Sequence, residues 1–395
     1  MNAEIVKTIK EKSNDERDYA VQLRRQFHKH PELGFQEFET SRTVKEALTS
    51  FGIPWKEMAG TGVVGLIDSG KPGKCVMLRA DMDALPLTEK SGVEYSSEIP
   101  GVMHACGHDM HVAGLIAAAK ILNELKENFS GSVKLMFQPS EEDVPGAPVM
   151  ISEGILENPH VDYAVAHHIM GALPKGVIGI RYGGIMAAPD LFDFTIRGIG
   201  GHGSTPWLCT DVIAICCQAV TNMYASLARR LPAFDPASMS ICSINGGNNN
   251  NVLPGEVKAK GTVRPLSDKT RKLIPEIIES SLKAACEGSG ATYEFNWSGD
   301  IPALINDDFV TEKVEKAARQ LLGDDGVIVM KEGSLGGEDF SFVSEKVPTC
   351  YYKVGLADDM DNCPVHHSET FAFDDSVLEV CISSMVSAAI ELLTA

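Results

Sequence analysis

Residues 103–111 read Met-His-Ala-Cys-Gly-His-Asp-Met-His, which places one thiol, three imidazoles and a carboxylate within nine positions. Cysteine and histidine together hold borderline cations such as Zn²⁺, and Cys106 and His108 stand two residues apart. The run leads into HVAGLIAAAKILNELK, apolar with helical spacing, so Cys106 is expected at or just before a helix N-terminus. There the helix dipole lowers a thiol's pKa and favours the thiolate, the form that binds metal. Taken alone, the segment also admits a buried cysteine beside solvated loop histidines, the weaker of the two readings.

Three other segments change that balance, because each ends an apolar, β-rich run in candidate ligands. KCVMLRA runs into Asp81-Met-Asp83, SVKLMFQ-Pro-Ser into Glu141-Glu142, and VDYAVA into His167-His168. In open α/β sheets ligands bind at the carboxyl ends of strands, so the three clusters should converge on Cys106 and His108. Five or more donors exceed one tetrahedral site and suit two adjacent metal ions. In an acidic pair one carboxylate can bind metal while its neighbour takes a proton from a metal-activated water; Glu142 and Glu141 fit those two tasks. Alone, the pair would be a solvated acidic turn. His366-His367, before SETFAFDD, would alone be a surface pair. His104 and His111 read as groups behind the ligands or on the surface, His28 and His30 as structural, and His160 as a loop residue.

The elements that must position these groups alternate between helical and extended patterns. Residues 14–30 read as an amphipathic helix stopped by Pro31, and 40–51 as a second helix. The strands TGVVGLID and KCVMLRA, a helix over 107–126, SVKLMFQ, a helix over 147–157 and VDYAVAH follow. Strands alternating with helices predict an α/β domain with a mostly parallel sheet flanked by helices. From 190 the order becomes βαββαβ, the ferredoxin-like sandwich. The sequence therefore predicts a catalytic domain of residues 1–187 and 302–395 interrupted by an inserted α+β domain at 188–301. Within the insert, RGIGGHGSTP presents His202, able to stabilise an oxyanion. GGNNNNVLP presents Asn251 and GTVR ends in Arg264, an amide and a guanidinium suited to a substrate carboxylate. Simple turn chemistry explains the Gly-Asn run equally well on its own.

Composition narrows the partners. With 44% hydrophobic and 23% charged residues, the 395-residue chain is typical of soluble globular proteins. A formal charge of −19 argues against nucleic acid and anionic membranes. The charged first twenty residues show no signal peptide, and no apolar run is long enough to span a bilayer. Ten scattered cysteines, several inside apolar runs, suit free thiols in a reducing cytoplasm.

The motifs RRQFHKHPELGFQEFET, LRADMDALPLTE, MHACGHDMH, FQPSEE, LPKG, GGHGSTP, GGNNNNVLP with GTVR, GGEDFSF and the His367 region run almost end to end. In this order they resemble the N-acyl-amino-acid amidohydrolases: aminoacylases, hippurate hydrolases, N-acetyl-diaminopimelate deacetylases and auxin-conjugate hydrolases, within the two-metal carboxypeptidases and dipeptidases. The resemblance implies metal ligands at Cys106, His108, Glu142, His168 and His367, a catalytic base at Glu141 and an orienting carboxylate at Asp83. His168 is preferred over His167 by its spacing to LPKG, and His367 over His366 by its spacing to Phe371. His202 and Asn251 match substrate-contacting residues of a lid domain that also mediates dimerisation, and Arg264 lies in a matching motif. Two divalent ions are implied: zinc, manganese, cobalt or nickel. The implied reaction is hydrolysis of N-acyl amino acids by a cytoplasmic homodimer or higher homo-oligomer. The alternatives are a dipeptidase or carboxypeptidase with the same centre, and a non-catalytic metal-dependent binding protein. Three positions depart from the family: Trp207 replaces a frequent second histidine, Asp143 a usual glycine, and no proline follows His367 closely. These bear on acyl and amino-acid preference.

Overall fold

Between Lys74 and Arg79, KCVMLRAD is wholly apolar, which commits it to the middle of a covered sheet. It forms the strand Cys75–Asp81, buried at every position, between the equally buried Ser132–Gln138 and the longer Tyr163–Pro174, both parallel to it. The computed structural model describes residues 1–143 and 145–394 and divides the chain into two units.

The larger unit comprises 1–183, 306–332 and 342–395. Its eight-stranded sheet runs Trp55–Met58, Gly62–Asp68, Ser132–Gln138, Cys75–Asp81, Tyr163–Pro174, Thr349–Ala357, Ile178–Ile180, Val327–Val329. Antiparallel pairs occur on either side of a parallel centre, and Thr349–Ala357 lies parallel to Tyr163–Pro174 from far along the chain. The helix His108–Glu124 is buried over most of its length, with Arg17–Lys29, Phe38–Ser50 and Leu378–Leu393 packed against it. Its neighbours supply one continuous apolar core including Phe27, Leu48, Leu115, Phe137, Ile382 and Met385. The N-terminus differs from the single helix expected over 14–30. Two helices form, Ala3–Asp15 and Arg17–Lys29, broken at Glu16. Asn2 starts the first by accepting the Ile5 N–H, a cap that the charged surroundings disguise in the sequence.

The smaller unit comprises 184–305 and 333–341. The sequence pattern sets its limits at 188 and 301 and does not reveal the second segment, which is too short and irregular to carry a periodic signal. Its sheet order is Ala237–Asn245, Glu256–Pro265, Asp190–Arg197, Thr292–Ser298, with every pair antiparallel. This is the ferredoxin-like order. Alternate residues Phe192, Phe194, Ile196, Val257 and Ala259 pack with Met223, Ile274 and Ile278 of the helices Val212–Arg230 and Asp268–Cys286. Among the described residues no helix is long and apolar enough to cross a membrane.

Candidate metal centre

The larger unit brings the expected ligands together at the carboxyl ends of its central strands. Cys106 Sγ lies 3.2 Å from His168 Nε2. His367 Nε2 lies 3.2 Å from Glu142 Oε1, and His108 Nε2 lies 3.9 Å from the same oxygen. Donor atoms of Cys106, His108 and His168, of Cys106, Glu142 and His367, and of His108, Glu141 and Glu142 form three overlapping groups, each within 4.8 Å.

Local backbone geometry explains how so few residues supply so many donors. Gly107 caps the helix His108–Glu124 with φ +89°, turning Cys106 and His108 to the same side. A Cβ at 107 would stand 2.1 Å from Ile169 Cδ1. Ser140 takes φ +50° without being glycine, a conformation costing on the order of 1–3 kcal/mol. That turn points the N–H groups of Glu141 and Glu142 at one oxygen, Asp83 Oδ2, at 2.9 and 3.0 Å. His367 also has a positive φ, 60°, and its N–H donates to the Ala105 carbonyl at 2.9 Å, beside Cys106.

Hydrogen bonds fix which ring nitrogen is available. His108 Nδ1 faces the Asp83 carbonyl oxygen at 2.9 Å and its carboxylate at 3.2 Å, so Nδ1 carries the proton. His108 Nε2 is buried without a hydrogen-bond partner. His168 Nδ1 donates to the Ile169 carbonyl, which leaves its Nε2 lone pair facing Cys106. Burial, with Lys353 nearby, pushes the His168 pKa well down and keeps that ring neutral. Burial alone would raise the Asp83 pKa, but His108 and the two amides outweigh it and hold the group ionised. Sulfur, imidazole and carboxylate donors, with the buried His108 Nε2 lacking a hydrogen-bond partner among them, fit a borderline divalent cation.

One expectation is reversed. Burial, together with Glu142, raises the Cys106 thiol well above its ordinary pKa, so the helix terminus does not by itself yield a thiolate. A cation is what the local charge calls for.

His167 stacks on Tyr352 with ring centroids 5.6 Å apart and meets His111 edge-on at 5.2 Å, and it belongs to none of the donor groups. His366 is half-buried against Phe371, and its Nε2 accepts the Gly171 N–H at 3.2 Å. His104 and His111 are both fully buried, not surface groups. His111 donates to Asp81, which also pairs with Arg79 at 2.6 Å. Asp81 lies 3.6 Å from His108 Nε2, so its carboxylate adjoins the donor cluster directly, while His111 spans from Asp81 to the Ile169 N–H. Its sole signal in the sequence was its place at a strand end.

In the smaller unit, strand Gly201–His202 pairs with Val252–Leu253, and Asn251 Nδ2 lies 3.3 Å from His202 Nε2. Arg264 is not brought to them. It lies opposite Ser238 at the far end of Glu256–Pro265, whereas His202 and Asn251 adjoin the Glu256 end. Amide and guanidinium therefore form no single carboxylate cradle within this unit. Trp207 is 75% exposed.

Residues 77–391 match the peptidase family M20/M25/M40. The chain is 41% identical over 290 residues to an N-acyl-L-amino acid amidohydrolase of Geobacillus stearothermophilus, covering 73% of this chain and 78% of that one. It is 39% identical to thermostable carboxypeptidase 2 of Saccharolobus solfataricus, covering 95% and 96%. A crystal structure from Bacillus subtilis, described as a dinuclear metal-binding peptidase of the M20 family, is similar with a TM-score of 0.84 at 30% identity, covering 96% and 99%.

Proposed function

The chain belongs to peptidase family M20/M25/M40 and is a metal-dependent amide hydrolase, and from that premise we propose that it releases free amino acids from N-acyl amino acids. The observation that supports this reading is the overlap of three donor groups built from Cys106, His108, Glu142, His168 and His367, one of which includes Glu141. These five residues would hold two divalent cations, which supply Lewis-acid polarisation of the scissile carbonyl and acidify water. Glu141 takes a proton from the attacking water and returns it to the leaving amine. Asp83 fixes the His108 tautomer and holds the Glu141–Glu142 backbone. His202 stabilises the oxyanion and Asn251 anchors the substrate carboxylate, while Arg264 acts from its own, separate position. The ferredoxin-like unit is also the dimerisation element in this reading, which sedimentation of the intact chain and of a chain lacking 188–301 would test.

A second reading is supported by the carboxypeptidase relative: the same centre cleaving dipeptides or peptide C-termini. Turnover of acetyl- and benzoyl-amino acids is to be compared with that of dipeptides and N-blocked dipeptides, each with zinc, manganese, cobalt or nickel restored. Faster turnover of acyl-amino acids is expected; preference for peptides would replace the first reading with the second.

A further inference from the structure

Glu37 stands at the N-cap of the helix Phe38–Ser50, yet its side chain makes no capping bond. Glu32 takes that task instead, accepting the N–H groups of Glu39 and Thr40 at 3.0 and 2.9 Å. The Glu37 carboxylate turns the other way, fully buried, and Oε1 accepts the Ser140 N–H at 2.8 Å. Its second oxygen accepts the Thr61 hydroxyl at 2.5 Å, which fixes the carboxylate in place. Asp83 takes the next two amides, so three consecutive N–H groups, 140 to 142, are held by two buried acids. Ser140 is the left-handed residue of that turn. Gly34 leaves it room, since a Cβ there would stand 2.5 Å from Ser140 Oγ, and the Gly146 N–H holds the Ser140 carbonyl at 2.7 Å. An L-residue in this conformation persists only where its surroundings over-determine it.

We propose that Glu37 is a positioning residue for the reaction: by gripping the Ser140 N–H it fixes the turn that aims the Glu141 carboxylate. The inference rests on Glu141 being the base. Glu37 acts through the backbone, and its nearest equivalent is Asp83 on the other side of the turn.

The test is Glu37→Ala in the metal-loaded enzyme, with Glu37→Gln beside it. Displacing a catalytic group by about 1 Å costs up to about 100-fold, so Glu37→Ala is expected to lower kcat about 10- to 100-fold with KM held within about twofold. At saturating metal both ions are retained, and hydrogen–deuterium exchange of the 139–143 backbone quickens with or without metal. Glu37→Gln keeps an acceptor oxygen for Ser140 and restores kcat to within about threefold, together with slow exchange. Unchanged kcat and exchange in Glu37→Ala would overturn the proposal. Should that variant not fold, the isosteric Thr61→Val, which removes the donor steadying Glu37, carries the test. It is expected to lower kcat and quicken exchange, and no change in either overturns the proposal. Glu141→Gln separates the two levels. Retained turnover there sinks the base assignment itself, whereas lost turnover there with an unaffected Glu37→Ala sinks only the role of Glu37.

Discussion

His168 Nε2 lies 3.2 Å from Cys106 Sγ although 62 positions separate the two residues. Each is held from behind: His168 by the Ile169 carbonyl, Cys106 by the Gly107 turn into a buried helix. Cys106→Ala removes the sole sulfur of the cluster and leaves His168 facing a void. Its affinity for zinc should fall by more than about 100-fold, beyond the 10- to 100-fold typical of losing a group behind the ligands. Elemental analysis after dialysis against graded chelator measures this; undiminished retention of two ions would remove Cys106 from the ligand set.

Asp83→Asn is expected to be nearly as harmful despite its shape. Asp83 accepts on both oxygens, from His108 on one and from the Glu141 and Glu142 amides on the other. An amide NH₂ in either place sets donor against donor. Metal affinity should drop about 10- to 100-fold and kcat with it. Isothermal titration with each metal checks the first, steady-state kinetics the second.

Gly107→Ala introduces a Cβ 2.1 Å from Ile169 Cδ1 at a residue with φ +89°. Ile169 Cδ1 is the mobile end of a side chain and can move aside, but the backbone strain remains. A loss of about 1–3 kcal/mol is expected, read from urea unfolding of the metal-free chain. Adding Ile169→Val should recover only the steric part.

The predicted effect of pH comes from His28. Its ring is buried, with Nδ1 3.0 Å from Asp109 Oδ2 and Nε2 3.1 Å from Glu89 Oε1. Burial opposes its charge, but Asp109 and Glu89 overcome that and raise its pKa to about 9. A folded-state pKa above the unfolded value means the stabilisation is fully present below about pH 6.5 and lost as pH rises through about 9. At roughly 1.4 kcal/mol per unit, the loss is a few kcal/mol. Tm measured from pH 6 to 10 should decline for the native chain and run flatter for His28→Gln, which begins lower. Equal slopes would remove His28 as the source.

Much of this architecture was legible because period and burial agree. The strands Cys75–Asp81 and Ser132–Gln138 are predominantly apolar and buried throughout, and in Asp190–Arg197 alternate residues face the core, so their type and position could be read from one sequence. The donor types at the strand ends were legible for the same reason. What could not be read depends on contacts between distant segments. Glu37 looks like one more acid at a helix start, and only its contacts with the distant Ser140 and Thr61 show that it is committed elsewhere. Asp81 and His111 form a buried pair that spacing does not encode, and the Cys106 pKa follows from burial and Glu142 more than from the helix. Arg264 and Asn251 share a small unit, yet a full strand length lies between them.

The sheet of the larger unit joins Tyr163–Pro174 to Thr349–Ala357, strands made before and after the smaller unit's main segment. Arg24 likewise spans 351 positions to reach Asp375. On the ribosome, 184–305 emerges whole while the larger unit still lacks its central partner strand, its last helix and His367. Domains usually fold in the order they are synthesised. In this chain the unit that starts first finishes last, and until then its apolar strand Tyr163–Pro174 waits with one edge open. The interval sets how long the nascent chain needs shelter from aggregation.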